Sequence, residues 1–319
     1  MRYIGAALVF GVISLTLFAQ SKSAPKAAAQ PSITQGSSDD PIRLDVTRVN
    51  LLFTVTDKKG RFITNFKKED FEITENKQKQ NILEFTAESD LPLRLAFLID
   101  TSNSIRDRFK FLQQAAVEFI ETAMRADQDK AMIVSFDSTA QLAVDLTPDK
   151  TQLVAAVNRM RAGGGTALYD AIVLAAKDKL MQDQPRDKYR RAIIILSDGE
   201  DNLSNYSREQ AVEWAQKADA VIYCISTNGL THTEISGDKV LLHFSTETGG
   251  MTYFPFKAED MQQSFVNITN ELRHQYNVLY RPEPLLADGK YHPIEIKVKT
   301  MGNMLVRARQ GYYAPDARK

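Results

Sequence analysis

Two strongly apolar segments of the chain are each followed by an aspartate. Asp100 comes directly after residues 95–99, and Asp198 is separated from residues 192–196 by one serine. Continuous apolar runs of this length are typical of strands that are buried on both faces of a parallel sheet. Because ligands collect at the carboxyl ends of such strands, we expect the two carboxylates to lie at one edge of the sheet.

Three hydroxyl side chains could join these carboxylates. Ser102 and Ser104 follow Asp100 on the same loop, and Thr166 follows three consecutive glycines, whose flexible turn could bring its hydroxyl close. A set of oxygen donors without His or Cys suits a hard cation, Mg²⁺ or alternatively Ca²⁺ or Mn²⁺. Two carboxylates would offset the charge of the ion. The neutral hydroxyls would leave it able to accept one further carboxylate from a partner protein.

Each part of this pattern also has a purely structural explanation. Ser102 or Ser104 could serve only as a helix N-cap, Asp198 with the glycine after it could form only a turn, and the three glycines could form only a loop. The parts occur in order at the ends of strands of one α/β region. This joint occurrence favours the cation site over the separate explanations.

The region from residue 93 to about 275 alternates between strand and helix patterns. Strands are predicted at 95–99, 131–136, 142–146, 192–196, 220–225 and 251–256, of which 142–146 has the alternation of an edge strand. Helical spacing is found at 109–124, 153–160, 167–180, 208–218, 240–246 and 258–274. This alternation predicts an α/β fold with a doubly wound, mostly parallel sheet.

The two flanks, residues 43–92 and 276–315, have a different pattern. Short alternating strands are predicted there, at 49–55, 71–74, 276–280 and 292–299. Neither flank has enough strands to bury a sheet face alone. We therefore predict that the flanks pair into one small β-sandwich, with the α/β domain of residues 93–275 inserted between its strands.

Three segments of the chain resemble the metal-ion-dependent adhesion site of von Willebrand factor A domains. They are Asp-Thr-Ser-Asn-Ser at 100–104, Gly-Gly-Thr-Ala-Leu at 164–168 and Ser-Asp-Gly-Glu-Asp at 197–201. The resemblance covers residues 93 to about 275 and implies a Rossmann-like fold. It also implies that Ser102 and Ser104 bind the ion directly and that Thr166 does so directly or through water. Asp100 and Asp198 would act mainly through water.

The beginning of the chain predicts export. Arg2 precedes an apolar stretch of about 15 residues, which is shorter than a membrane-spanning helix requires. We interpret residues 1–29 as a signal peptide and residues 30–42 as a disordered linker, with an uncleaved N-terminal membrane anchor as the alternative. Lys68-Glu69-Asp70-Phe71 and Gly311-Tyr312-Tyr313 make the flanks similar to those of exported bacterial proteins related to the same family. The expected location is the periplasm or the extracellular space.

The composition limits the class of partner. The chain has 40 Lys and Arg residues and 40 Asp and Glu residues, so its formal net charge is zero. Nucleic-acid binding needs a basic field, so we expect a protein partner that offers an Asp or Glu carboxylate, and no nucleic acid. No membrane contact is expected beyond the N-terminal segment. The single cysteine, Cys224, cannot form an internal disulfide, so an exported domain must be stable without one.

These observations lead to three hypotheses about function. The first is a non-enzymatic adhesion or protein-binding module in which a bound cation coordinates an acidic residue of the partner. The second is a metal-assisted hydrolase, which would need a general base near a metal-bound water. Only Glu200, Asp201 and Asp137 are candidates for that base, with no histidine to assist, so no enzyme is predicted. The third is a structural scaffold in cell-envelope assembly, in which the cation is incidental.

Overall fold

The structure is a computed structural model that describes residues 48–87, 91–185, 188–228, 236–299 and 304–315. Its strands are β1 (Val49–Thr56), β2 (Phe71–Glu75), β3 (Gln78–Gln80), β4 (Ile82–Thr86), β5 (Leu93–Asp100), β6 (Lys130–Phe136), β7 (Ala140–Thr147), β8 (Arg190–Ser197), β9 (Ala220–Ser226), β10 (Thr252–Tyr253), β11 (Tyr276–Tyr280), β12 (Tyr291–Val298), β13 (Leu305–Ala308) and β14 (Gly311–Tyr313). Its α-helices are α1 (Phe109–Ala123), α2 (Lys150–Arg159), α3 (Leu168–Val173), α4 (Arg208–Lys217), α5 (Ser236–Thr248) and α6 (Ala258–Arg273).

The middle of the chain forms one six-stranded sheet, in the order β10-β9-β8-β5-β6-β7. Neighbouring strands are parallel from β10 to β6, and β7 is added antiparallel at the edge. Every residue of β5, β8 and β9 is buried, which explains why these strands have no polar alternation in the sequence. The predicted doubly wound, mostly parallel sheet is therefore confirmed.

Helices cover both faces of this sheet. Successive side chains of a strand point to opposite faces, and the core residues of β5 divide accordingly. Leu95 and Phe97 belong to a core that includes α1, α2 and α6. Ala96 and Leu98 belong to a second core that includes α3, α4 and α5. The loops at the carboxyl ends of β5 and β8 therefore lie between two packed helical layers.

The two flanks form two four-stranded antiparallel sheets that pack together. Their orders are β13-β1-β11-β4 and β14-β12-β2-β3, so each sheet takes strands from both flanks. Phe53, Ile73, Tyr276 and Ile294 are buried in one shared core. The predicted sandwich with an inserted α/β domain is thus the observed architecture. Its strands β3, β4, β13 and β14 were not predicted, because they are only three to five residues long and, except in β14, carry few buried residues.

Two elements differ from the sequence prediction. The strand expected at 251–256 is limited to β10, and Pro255, which has no backbone N–H for a strand ladder, follows two residues later. The helix expected at 167–180 is α3 followed by a π-helical stretch, Leu174–Leu180, in which Met181 N donates to Ala176 O at 2.9 Å. The structure otherwise follows the predicted order of strands and helices.

The predicted signal peptide at 1–29 and the predicted linker at 30–42 lie outside the described residues. Among the residues that the structure describes, no helix combines the length and the apolar character that crossing a bilayer requires.

Candidate functional site

Asp100 is the last residue of β5, and its carboxylate is buried and fixed by two hydrogen bonds. Its Oδ1 accepts from the backbone N–H of Ser102 at 2.8 Å, and its Oδ2 accepts from the hydroxyl of Ser197 at 2.6 Å. Ser197 ends β8, the strand beside β5 in the sheet. The side chain of Asp100 therefore links the carboxyl ends of two neighbouring strands.

The electrostatics of this position favour a cation. The pKa of Asp100 is raised to about 6: burial raises it most, the hydrogen bonds from Ser102 and Ser197 partly offset this, and the nearby negative charge of Asp198 adds a smaller increase. The raised pKa means that the buried negative charge is not fully compensated by the surrounding side chains. A divalent cation would supply that compensation, so the residues present fit such an ion.

The two serines of the first segment lie together. Ser102 Oγ and Ser104 Oγ are 2.9 Å apart, with Ser102 buried and Ser104 exposed. Thr101 anchors their loop, because its backbone N–H and its hydroxyl both donate to Phe136 O, at 2.9 and 3.0 Å. The loop thus presents two adjacent hydroxyl oxygens, one of them at the surface.

The glycine-rich segment is hydrogen-bonded to this loop. Gly163 N donates to Thr101 O at 2.6 Å, and Asn103 N donates to Gly164 O at 3.2 Å. Gly164 has a φ of +86°, and a Cβ there would lie 2.9 Å from Ser138 Oγ, so only glycine fits this turn. These contacts bring the segment that ends at Thr166 against the Asp100 loop.

Thr166 is buried and is bound to the third segment through its backbone. Its N–H donates to Asn202 Oδ1 at 3.0 Å, and its carbonyl accepts from the N–H groups of Asn202 and Leu203, both at 3.0 Å. Thr166 therefore lies between the loop after β5 and the loop after β8. Its own backbone hydrogen bonds go to the loop after β8, and Gly163 and Gly164 of its segment make the bonds to the loop after β5.

Asp198 follows β8 and is also buried. Its Oδ1 accepts from Glu200 N at 3.1 Å, and its carbonyl accepts from Asn228 Nδ2 at 2.7 Å. Gly199 has a φ of +82°, and a Cβ there would lie 2.1 Å from Gly237 O at the start of α5. The close approach of α5 to this turn therefore requires a glycine.

The structure thus brings the segments of all five candidate residues to one edge of the sheet. Their donor set is two carboxylates and three hydroxyls, the set that the sequence indicated. Within the described part of the chain, no three His, Cys, Asp or Glu side chains gather into a metal-binding group, so a cation here would depend on hydroxyl oxygens as well. The role of Asp100, Ser102, Ser104, Thr166 and Asp198 as ligands stays a prediction.

Four residues support the site and were given no such role from the sequence. Ser197 holds Asp100, Ser138 accepts from Gly165 N at 3.0 Å, Asn202 holds Thr166 and Asn228 holds Asp198. Each of them lies in the segment just after a strand of the central sheet, or at its last residue. Position at a carboxyl strand end is therefore the signal that could have identified them.

The three carboxylates considered as possible bases have structural partners. Asp201 Oδ2 accepts from Tyr169 N at 3.0 Å and from Ser204 Oγ at 2.6 Å, which fixes the start of α3. Glu200 Oε1 accepts from Ser236 Oγ at 2.9 Å, and Asp137 Oδ1 accepts from Thr139 N at 3.2 Å. These hydrogen bonds favour roles in holding the loops.

Comparison with known proteins gives one family match. The family model described as von Willebrand factor type A domain matches residues 95–200, the part of the chain that contains all five candidate ligands. No curated protein matches the chain.

Three of the solved structures to which the chain is similar come from different organisms. A von Willebrand factor type A protein from Catenulispora acidiphila has 14% identity and a TM-score of 0.48, with 79% of this chain and 76% of that chain covered. Proximal thread matrix protein 1 from the mussel byssus, with a zinc-occupied metal-ion-dependent adhesion site, has 18% identity and a TM-score of 0.47, with 62% and 49% covered. BatB, a conserved hypothetical protein from Bacteroides thetaiotaomicron, has 16% identity and a TM-score of 0.45, with 56% and 98% covered.

Proposed function

We propose that this chain is an exported, non-enzymatic binding module that captures an acidic residue of a partner protein through a bound divalent cation. The ion is Mg²⁺, or alternatively Ca²⁺ or Mn²⁺, held by Asp100, Ser102, Ser104, Thr166 and Asp198. When bound, the ion supplies an electrophilic position for one further carboxylate oxygen. The proposed location is the periplasm or the extracellular space, and nucleic acid is not the proposed partner.

The observation that supports this proposal is that hydrogen bonds join three separate loops, and that the candidate donors on these loops are all oxygen atoms. Asp100 is buried with a raised pKa, and the Ser102–Ser104 pair reaches the surface through Ser104. A cation between these groups would be partly exposed and would carry only two compensating carboxylates. Such an ion has capacity for one more negative ligand, and a protein carboxylate satisfies it. The family match over residues 95–200 supports the same class of function.

A scaffold role or a hydrolase role is less well supported by the geometry. The candidate bases Glu200, Asp201 and Asp137 accept hydrogen bonds from loop residues, and hydrolysis would need one of them to activate water instead. A scaffold would not require the buried, charge-concentrating arrangement around Asp100. We therefore propose capture of a carboxylate as the function.

The first test is binding of Mg²⁺ by titration calorimetry. Asp100→Ala removes one of two compensating charges and should abolish detectable binding, whereas Ser102→Ala, which removes a neutral donor, should weaken it less. Asp145→Ala is the matched control, because Asp145 is an exposed carboxylate on β7 that pairs with Lys179. Equal Mg²⁺ binding by the wild type and Asp100→Ala would show that the proposed site is wrong.

The second test is binding of proteins from an envelope extract, with Mg²⁺ and with chelator. A partner held by its carboxylate should bind with Mg²⁺, dissociate with chelator, and bind less well to Thr166→Ala, whose backbone hydrogen bonds to Asn202 and Leu203 remain possible. Moderate salt should have little effect, since a desolvated metal–carboxylate contact is screened less than surface ion pairs. Equal binding with Mg²⁺, with chelator and to Thr166→Ala would favour the scaffold role.

A further inference from the structure

An apolar cleft of about 270 Å³ opens beside the candidate site and is not used by it. It lies between the start of α1, the end of β9 and the loop that leads from β10 into α6. The side chains that give it an apolar lining are Phe111, Leu112, Pro255, Phe256 and Met261. Leu112, Pro255 and Met261 are buried, whereas Phe256 is 58% exposed. The cleft therefore has an apolar floor and an exposed aromatic ring at its side.

The cleft is continuous with the edge that carries the candidate ligands. Ser226 and Thr227 both line the cleft. Ser226 is the last residue of β9 and is in register with Ser197 at the end of β8, and Thr227 follows it. Thr227 N donates to Ser197 O at 3.0 Å, and Ser197 Oγ donates to Asp100. Asp100 on β5 is thus two strand positions from the cleft, or about 10 Å at the usual strand spacing.

The residues that line the cleft carry one more positive charge than negative charge. Arg108 and Lys257 line it from α1 and α6 sides, and Asp107 is the one acidic side chain among its lining residues. Lys257 is exposed and Arg108 is half-buried, so both can contact an occupant. This excess of positive charge complements an acidic segment and disfavours a basic one.

We propose that this cleft is a second subsite, which takes one large apolar side chain from the same acidic partner segment whose carboxylate binds the cation. The proposal rests on the proposed function and adds the partner's recognition pattern to it. An extended chain advances about 3.3–3.6 Å per residue, so the distance of about 10 Å corresponds to an offset of about three residues from the Asp or Glu to the apolar side chain. Further acidic residues of the segment would contact Arg108 and Lys257.

The test is selection of displayed random peptides that contain one fixed Asp, on the full-length chain with Mg²⁺ and with elution by chelator. Peptides that bind should share Phe, Tyr, Trp, Leu, Ile or Met at one fixed offset of about three residues from the Asp. The consensus peptide is then synthesised, and its affinity is measured for the wild type and two variants. Phe256→Ser should weaken binding about tenfold, the change expected from losing one aromatic contact.

Phe254→Ser is the matched control, because Phe254 is an exposed phenylalanine of the same loop that does not line the cleft. It should bind the consensus peptide as tightly as the wild type does. Both positions are at the surface, so both variants should fold, and circular dichroism checks this.

Two results would overturn the proposal in distinguishable ways. Peptides that need the Asp and Mg²⁺ but show no apolar preference, or equal losses in the two variants, would refute the cleft and leave the proposed function intact. Failure to recover any chelator-eluted peptide would contradict the proposed function, and the subsite with it. If the selected peptides do not bind to Asp100→Ala, this would confirm that they bind through the cation site.

Discussion

At the scale of single residues, the site depends on side chains that hold the carboxylates rather than on the carboxylates alone. The hydroxyl of Ser197 donates to Asp100 and accepts from Gly199 N at 3.0 Å, so one small side chain fixes the loops on both sides of the site. Groups that orient metal ligands commonly change metal affinity by one to two orders of magnitude, and Ser197 would have this effect at the proposed cation site. Such a group acts by orienting the ligand, so removal of the hydroxyl oxygen of Ser197 tests its contribution.

We predict that Ser197→Ala weakens Mg²⁺ binding about tenfold, because Asp100 loses the donor that orients its Oδ2. Titration calorimetry measures the change. Ser245→Ala removes an equally buried hydroxyl, which bonds to Leu242 O within α5, and should leave Mg²⁺ affinity unchanged. Equal affinities for the wild type and Ser197→Ala would show that this hydrogen bond does not support the site.

A second residue-scale prediction concerns the turn after Asp198. Gly199→Ala should lower the free energy of unfolding by about 2–4 kcal/mol, since the residue has a positive φ and the added Cβ meets Gly237 O. Gly163→Ala is the control, because nothing lies within 4 Å of a Cβ at that position. It should change stability by no more than about 1 kcal/mol. Urea unfolding of both variants measures this, and equal losses would contradict the close-approach argument.

At the scale of elements, α6 and β13 are joined by a buried ion pair. Glu271 on α6 is 1% exposed and lies 2.7 Å from the guanidinium of Arg307 on β13. Burial raises the pKa of Glu271 to about 7, although the charge of Arg307 and the hydroxyl of Tyr223 lower it. The folded state therefore takes up a proton at this carboxyl at higher pH than the unfolded chain, whose glutamates titrate near 4.5.

This shift predicts the direction of a pH effect on stability. Because the folded pKa is raised, the folded state is relatively favoured below about pH 4.5, and this advantage is lost as pH rises to about 7. The unfolding free energy of the wild type minus that of Glu271→Gln should therefore decrease as the pH rises from about 4.5 to about 7. The decrease should be at most about 3 kcal/mol. Chemical denaturation at several pH values measures it. A difference that is constant or that grows with pH would contradict the prediction.

Glu118→Gln is the matched control for that series. Glu118 is an exposed carboxylate on α1 that accepts a hydrogen bond from Gln262 of α6. The variant removes one negative charge near the same helix without touching the contact to β13. A pH profile like that of the wild type would assign the effect to the buried position of Glu271.

At the scale of the whole molecule, the order of strands makes the two flanks dependent on each other. β1 lies between β11 and β13, and β2 lies between β3 and β12, so the N-terminal strands pair mainly with strands from the other end of the chain. The α/β domain instead contains both of its own cores. The two parts should therefore differ in their ability to fold alone.

We predict that a fragment of residues 93–275 folds by itself, and that a fragment of residues 43–92 does not. The first should unfold cooperatively but at lower temperature than the full chain, because Glu271 loses Arg307 and becomes uncovered. The second lacks β11, β12 and β13 and cannot form either sheet of the sandwich. Circular dichroism melting curves test both fragments. A cooperative transition in residues 43–92 would refute this dependence.

The sequence by itself determined the features that follow from local patterns. A run such as residues 95–99 predicts a buried strand because backbone geometry alternates side chains between two faces, and both faces here are apolar. The position of Asp100 and Asp198 after such runs was enough to locate the edge where the candidate donors meet. The pairing of the two flanks followed because neither contained enough strands for a stable sheet.

Only the tertiary structure decided how distant segments contact each other. The hydrogen bond from Ser197 to Asp100 joins residues 97 positions apart, and the cleft unites Phe111 of α1 with Phe256 of the loop before α6. The pairing of Glu271 with Arg307 likewise joins two elements that no local pattern connects. Periodicity reports which face of a strand or helix is buried, but it carries no information on which neighbour covers that face. That choice depends on the packing of whole helices and sheets, and it sets the supporting hydrogen bonds, the cleft and the buried ion pair.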